Sequence, residues 1–377
     1  MSRADPQARS LTPSQQAALR HVRAQAILDG PNALAALRER VGKTGAGQAA
    51  LDEALLSLRD HARVVVQFHP DRLTRAGESV ADNLLRDGRY RNQFETGISN
   101  GGLSAFEGGE RDLWEAGLFG GAYQARRVTA AERPKYGALD FLRYGDGPAP
   151  RFGSCYLILR PAIADRCSLT VGDSHRPIAH VGVRDAMEGI LLGLVDAVGS
   201  GEWDLGRQDL AMPGLAVPSL LDRLSRTLGS ILPDPARRPP GRLLDHYIEA
   251  QIHGPIDLRT DVDLLVADPC FQGTPTGERL RAACSSYGVA VSGHCGFVLA
   301  ADSVDGEFRG PAMPALARRI AKDGFIDAAV IGAAAASLNR HPELWRDRGT
   351  YEETLQHLKQ LWHVLVHKGH PAMAAET

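Results

Sequence analysis

Residues 246–254 read HYIEAQIHG, and their alternation decides how the rest of the chain is read. In a strand, successive side chains point to opposite faces. Tyr247, Glu249, Gln251 and His253 then share one face, and Ile248, Ala250 and Ile252 share the other. A strand with one solvated face gives the same pattern. Here the apolar face is small, which points to a central strand used on both sides. A carboxylate in such a place has to be paired or functional, because burying an isolated charge is expensive.

A central strand needs neighbours, and the chain offers several. ARVVVQF (62–68) carries three consecutive valines and runs straight into His69-Pro70-Asp71-Arg72. Proline cannot continue a central strand, so these polar groups stand at its end. KYGALDFLRY (135–144), GSCYLILR (153–160), ADRCSLTVGDSH (164–175) and VDLLVADP (262–269) read as further strands. GVAVSGHCGFVLA (288–300) reads as two strands meeting near Gly293. SVADNLLRDG (79–88) is a helix capped by Ser79 and stopped by Gly88. ERDLWEAGLFGGAY (110–123) is a short helix with a glycine turn; 183–199 and 219–232 are amphipathic helices; 232–242 is a Pro/Arg loop.

The ends differ from the middle. Residues 12–60 have helical spacing interrupted by Gly30-Pro31 and by VGKTGAG (41–47), which predicts three helices. Gly42-Lys43-Thr44 does not belong to a phosphate loop, because the first glycine of that motif falls on Leu37 inside a helix. From Pro311 the chain is helical again. Leu355, Leu358, Leu361, Trp362 and Leu365 form one stripe, and His363 and His367 read as half-exposed. The order predicts an α+β protein: a β core of two packed sheets over 61–310, a helical segment at 1–60, and another at 311–377.

With 377 residues, 44% hydrophobic and 23% charged, the composition is that of an ordinary globular chain. The net charge of -2 supplies no global basic field for nucleic acid or membrane. Five cysteines, an odd number without CxxC spacing, read as reduced thiols of a cytoplasmic protein. No apolar run approaches the roughly 20 residues of a membrane span. MSRADPQARSLTPSQQ has no apolar signal core, so export would need a specialised route into another cell. GxGxxG is absent, which argues against a Rossmann dinucleotide site.

DGRYRNQFETGISNGG (87–102) is the chain's most polar, glycine-rich stretch. Tyr90, Phe94 and Ile98 anchor it, and Arg89, Arg91 and Asn100 supply donors suited to phosphate oxygens. Two readings of the chemistry stand beside it. Asp71, Asp173, His175 and His294 are candidates for a metal-dependent hydrolase, although no HExxH or closed-site spacing supports a metal. A non-enzymatic module that binds a partner through the loop is the other.

HPDR, DGRYRNQFETGISNGG, LFGGAY, RPKYGAL, PRFGSC, GDSH and EAQIHGPIDL together resemble an uncharacterised bacterial family over roughly residues 60–370. The chain is also similar to ADP-ribosyltransferases of the diphtheria-toxin-like and DNA-modifying branches. That resemblance implies a reaction in which NAD is the substrate and its nicotinamide–ribose bond is cut, by transfer or by hydrolysis. It places Glu249 and Gln251 at the catalytic positions, with the role of each open, because the usual order of the two is reversed. It implies that His69 holds the NAD ribose and that Tyr136 stacks on nicotinamide. Arg72, Arg89, Tyr90, Arg91 and Asn100 are the remaining candidates for holding NAD. The acceptor is a protein side chain, a nucleic acid, a small molecule or water.

Overall fold

The computed structural model describes residues 11–74, 76–98, 105–199, 215–228, 230, 244 and 248–372. Tyr247, Asn100 and the Pro/Arg loop at 232–242 lie outside them. The strands among the described residues are β1 (Arg63–Phe68), β2 (Arg89–Tyr90), β3 (Lys135–Asp140), β4 (Cys155–Leu159), β5 (Cys167–Val171), β6 (Val181–Val183), β7 (Ile248–Ile252), β8 (Ile256–Asp257), β9 (Val262–Ala267), β10 (Ala290–Gly293), β11 (Leu299–Ala300) and β12 (Phe325–Ile326). The helices are α1 (Pro13–Gly42), α2 (Gln48–His61), α3 (Val80–Asp87), α4 (Gln93–Thr96), α5 (Glu110–Leu118), α6 (Glu188–Gly199), α7 (Val217–Thr227), α8 (Leu258–Asp261), α9 (Pro275–Tyr287), α10 (Ala312–Ile320), α11 (Ala328–Arg340) and α12 (Tyr351–Lys368).

The protein is a mixed α+β structure, but its β core is one sheet and not the expected two packed layers. Eight strands run in the order β10-β9-β4-β1-β3-β7-β5-β6. All neighbours are antiparallel except the β9–β10 pair. Two small ribbons, β2–β8 and β11–β12, stand apart from it. The apolar face that a second sheet would have covered is covered by helices. Val64, Val66, Leu169, Ile248, Ala250 and Ile252 join buried residues of α1, α2, α6 and α7 in one continuous core. Sheet and helix satisfy the same need to bury an apolar face, so strand patterning alone does not separate the two architectures.

The alternation of β7 is realised as read. β7 is central, hydrogen-bonded to β3 on one edge and β5 on the other. Its register sets Glu249 beside Ala138 and Thr170, and Gln251 beside Tyr136 and Ser168. The face carrying Glu249 becomes apolar toward the other end of the sheet, where Val65, Tyr156, Ile158, Leu264 and Val266 cluster.

The N-terminal region corrects the expected three helices to two. α1 runs unbroken through Pro31. An interior proline costs a helix about 3 kcal/mol. Burial of Ala26, Ala33, Leu37 and Val41 on the same helix offsets that cost. α3 begins and ends as read, with Ser79 in a capping box and Gly88 left-handed at φ 66°. None of the described cysteines is in a disulfide; Cys155, Cys167 and Cys284 are buried. No described helix is long and apolar enough to cross a membrane.

Candidate active site

An open cleft of about 300 Å³ lies on the Glu249 face of the sheet. Its floor is Val65 and Gln67 of β1, Tyr136 and Ala138 of β3, and Glu249 of β7. One wall is α5, through Arg111 and Trp114. Another is α12, through Gln356, Lys359 and His363, which are spaced i, i+3, i+7 and so share one side of the helix. The loop residues Tyr90 to Gln93 and the segment Asp173, His175 and Arg176 complete it, with Arg151 and Phe152 below and Arg309 beside α12.

Glu249 is 3% exposed. Burial, and then the negative charge of Asp173, push its carboxyl up to about 7, against hydrogen bonds from Ser174 and Gln251 and the charge of Arg111. Asp173 goes the other way. Burial acts to raise it, but the His175 hydrogen bond, the His175 charge and Arg151 hold it below the usual carboxylate range. His175 Nδ1 lies 2.7 Å from Asp173 Oδ1, and Arg151 lies 3.6 Å from Oδ2. Two carboxyls of one cleft are thereby driven apart in proton affinity, a pattern typical of acid and base partners.

Gln251 is fully buried. It is not a lining residue of the cleft. Its amide donates to Glu249 Oε1 at 2.9 Å and to Thr170 Oγ1 at 3.1 Å, and its own oxygen accepts from Ser168 at 2.8 Å. Ser168 also meets His253 Nε2 at 3.1 Å, and Tyr123 meets His253 Nδ1 at 2.6 Å. Of the two residues expected at the catalytic positions, Glu249 lines the cleft and Gln251 stands behind it. Same-face neighbours on a strand sit side by side, so Gln251 spends its polar atoms on Glu249 and β5.

Tyr136 lies on the strand adjacent to Glu249. Its hydroxyl donates to Glu115 at 2.7 Å, and Glu115 is also paired with Arg133 at 2.9 Å. The Arg111 guanidinium covers one face of the Tyr136 ring at 4.6 Å and also approaches Trp114 at 4.9 Å. Buried polar atoms of Gln93, Arg111, Trp114 and His363 have no hydrogen-bond partner among the described residues, and all four side chains line the cleft. Native interiors seldom leave such groups unmatched, and here four of them border one cleft.

The residues proposed to hold NAD divide between two adjoining spaces. His69, Arg72 and Arg89 line a smaller pocket that shares Gln67, Tyr90, Arg91, Gln93 and Phe152 with the main cleft. His69 thus does not share a cavity with Glu249 and Tyr136. The chain leaves the sheet at Phe68, and the imidazole packs edge-on against Trp362 at 4.9 Å. Burial and the Arg72 charge hold it well below its ordinary value. Tyr90 and Arg91 form the shared partition. Arg91 is ion-paired with Asp87, and β2 is pinned to β8. Asn92 caps α4 and donates to Ala130 O at 2.7 Å, while Phe94 lies under Arg133 at 4.5 Å.

The hydrolase candidates are split. Asp173 and His175 face the cleft, whereas His294 contacts the carbonyl of Ser154 and lies 4.0 Å from Asp268. Among the described residues, no three His, Cys, Asp or Glu side chains come together as a metal site. His363, read as half-exposed, is 5% exposed and faces the cleft. The polar spacing Gln356, Lys359, His363 was the signal for it, running alongside the apolar stripe of α12. Arg111, Trp114, Arg151 and Arg309 carry no comparable pattern.

Over 129 residues, 33% of the chain, the sequence is 33% identical to the "Gene 2 protein" of Mycobacterium phage D29, and the match spans 40% of that phage protein's length. The family model described as "Protein of unknown function (DUF3626)" matches residues 63–368. That span runs from β1 into the last turn of α12 and includes every wall of the cleft, and on it the chain belongs to the DUF3626 family.

Proposed function

We propose that this chain cuts the nicotinamide–ribose bond of NAD and passes ADP-ribose to an acceptor or to water. The observation that carries the reading is Glu249, a single carboxyl held by Gln251 on the cleft floor, with Tyr136 on the adjacent strand. Around it stand six cationic side chains, Arg91, Arg111, Arg151, Arg176, Arg309 and Lys359, against two carboxyls. Such a lining suits a substrate that combines aromatic rings with negative charge.

When the bond breaks, its electron pair leaves with nicotinamide, which departs neutral, and positive charge develops on the ribose carbon. A carboxylate facing that carbon stabilises the charge, as in glycoside hydrolysis. Glu249 performs this only when ionised, so its value near 7 makes the reaction pH-dependent around neutrality. The attacking hydroxyl, amine or water must give up a proton, and the paired Asp173 and His175, which face the same cleft, are the groups positioned to receive it. Arg111 rests on the Tyr136 face where an aromatic ring would stack, so binding requires it to swing aside. The test is release of nicotinamide from NAD by the pure protein. No release, with or without added protein or nucleic-acid acceptors, removes the reading.

A further inference from the structure

One corner of the cleft lies apart from the bond cut at Glu249, although Arg151 there also pairs with Asp173. α12 presents Lys359 and His363 there, one helical turn apart. Arg151 approaches from the segment before β4, and Arg309 from the loop before α10. His363 is 5% exposed, and neither ring nitrogen has a hydrogen-bond partner among the described residues. An imidazole always carries at least one N–H and either an acceptor or a second N–H. Leaving both buried and unmatched is costly unless a ligand meets them.

We propose that Arg151, Arg309, Lys359 and His363 form a subsite for a phosphate group at the α12 corner of the cleft. The subsite rests on the cleft itself, and the bond cut at Glu249 does not enter into it. Arg151, Arg309 and Lys359 bring like charges to this corner, with Asp173 beside Arg151. Burial, then Arg309, Lys359, Arg151 and His69, keep His363 well below its ordinary value and so neutral. Burial, then Arg151 and Arg72, bring Lys359 down to about 8, with Asp173 opposing and Arg309 adding to the effect. An anion placed among these groups reverses the field. It accepts from the guanidinium and ammonium donors, and it favours the protonated imidazole, whose two N–H groups then both find a use. Binding is therefore coupled to proton uptake at His363 and strengthens as the pH falls toward the value of the bound imidazole.

The test uses the full chain and two anions, pyrophosphate and the non-titrating mimic sulfate, followed by calorimetry. Pyrophosphate binding should weaken by about tenfold or more in Arg309→Gln, whose side chain is exposed, and likewise in Lys359→Gln, with a melting temperature on each variant to verify the fold. At about pH 6.5, where Lys359 already holds its proton, sulfate binding to the wild type should take up a proton, read from the dependence of the heat on the buffer's ionisation enthalpy. His363→Gln should remove most of that uptake, the remainder belonging to Glu249, which sits near 7 in the same cleft. Competition between pyrophosphate and ADP-ribose assigns the subsite to the dinucleotide's own phosphates; simultaneous binding assigns it to a second, phosphate-bearing ligand. Unchanged affinity in Arg309→Gln, or unchanged proton uptake in His363→Gln, overturns the subsite. So does a folded wild type that binds neither anion.

Discussion

Gln251 donates from Nε2 to Glu249 Oε1 at 2.9 Å, within a single strand. The two are on the same face because they are two residues apart, and Gln251 is itself held by Ser168 and Thr170 of β5. A buried carboxyl would otherwise turn toward whatever donor came nearest. Here one oxygen is fixed by the sheet, and the side chain remains directed at the cleft.

Glu249→Gln keeps size and shape but removes the charge. Turnover of NAD should fall by at least about 100-fold, the scale on which one electrostatic stabiliser acts. The variant should remain folded. Nicotinamide release and melting temperature measured on the same sample separate this outcome from a structural role, in which activity would fall only with the fold.

The pH profile should follow the ionised form of Glu249. Turnover should rise through a midpoint near 7. Gln251→Ala removes a hydrogen bond that favours the carboxylate, so its midpoint should move to higher pH. It should also cost about 1–3 kcal/mol of stability, since Ser168 and Thr170 lose their buried partner. A Gln251→Ala profile superimposable on that of the wild type would remove Gln251 from its positioning role.

Stability should carry the same signature with the opposite sign. The folded carboxyl of Glu249 sits near 7 against an ordinary 4.5, so between those values the folded state binds more protons than the unfolded one. Stability from this group is present below about 4.5 and lost as the pH rises through 7. The span corresponds to on the order of 3 kcal/mol. Glu249→Gln should flatten that fall, and denaturant melts of both proteins at pH 5 and pH 8 (about the two limits of the titration) would reveal a failure to do so.

Tyr136 should separate by substitution. Tyr136→Phe deletes the hydrogen bond to buried Glu115 and should cost about 1–3 kcal/mol, with turnover within a few-fold of wild type. Tyr136→Ala also deletes the stacking face and should raise KM for NAD by about tenfold. Equal KM values for the two variants would deny the ring any part in binding.

Gly88→Ala tests the turn that launches the loop. Gly88 has φ 66°, and an added Cβ would lie 2.7 Å from the Tyr287 ring. The substitution should destabilise the protein by more than about 1 kcal/mol and speed hydrogen exchange across residues 89–98. Unaltered exchange there would show that the loop is anchored without this turn.

Much of the framework was legible in the sequence. β7, β1 and α3 follow from period-two alternation, a run of valines, and a serine cap with a glycine stop, all set by residues close in the chain. The same alternation identified Glu249, because a carboxylate on a central strand has few ways to be tolerated. Other features belong to the tertiary structure alone. Helices and not a second sheet cover the apolar face, since any apolar layer of the right shape satisfies it. α1 passes through Pro31 because buried neighbours on the same helix outweigh a local penalty. Gln251 became a support for Glu249, and His69 a packing partner of Trp362, through contacts with β5 and α12 that no spacing records. Asp173 and His363 reach the cleft from segments far from β7 in sequence; alternation and helical period specify a face, but only chain packing decides which faces meet.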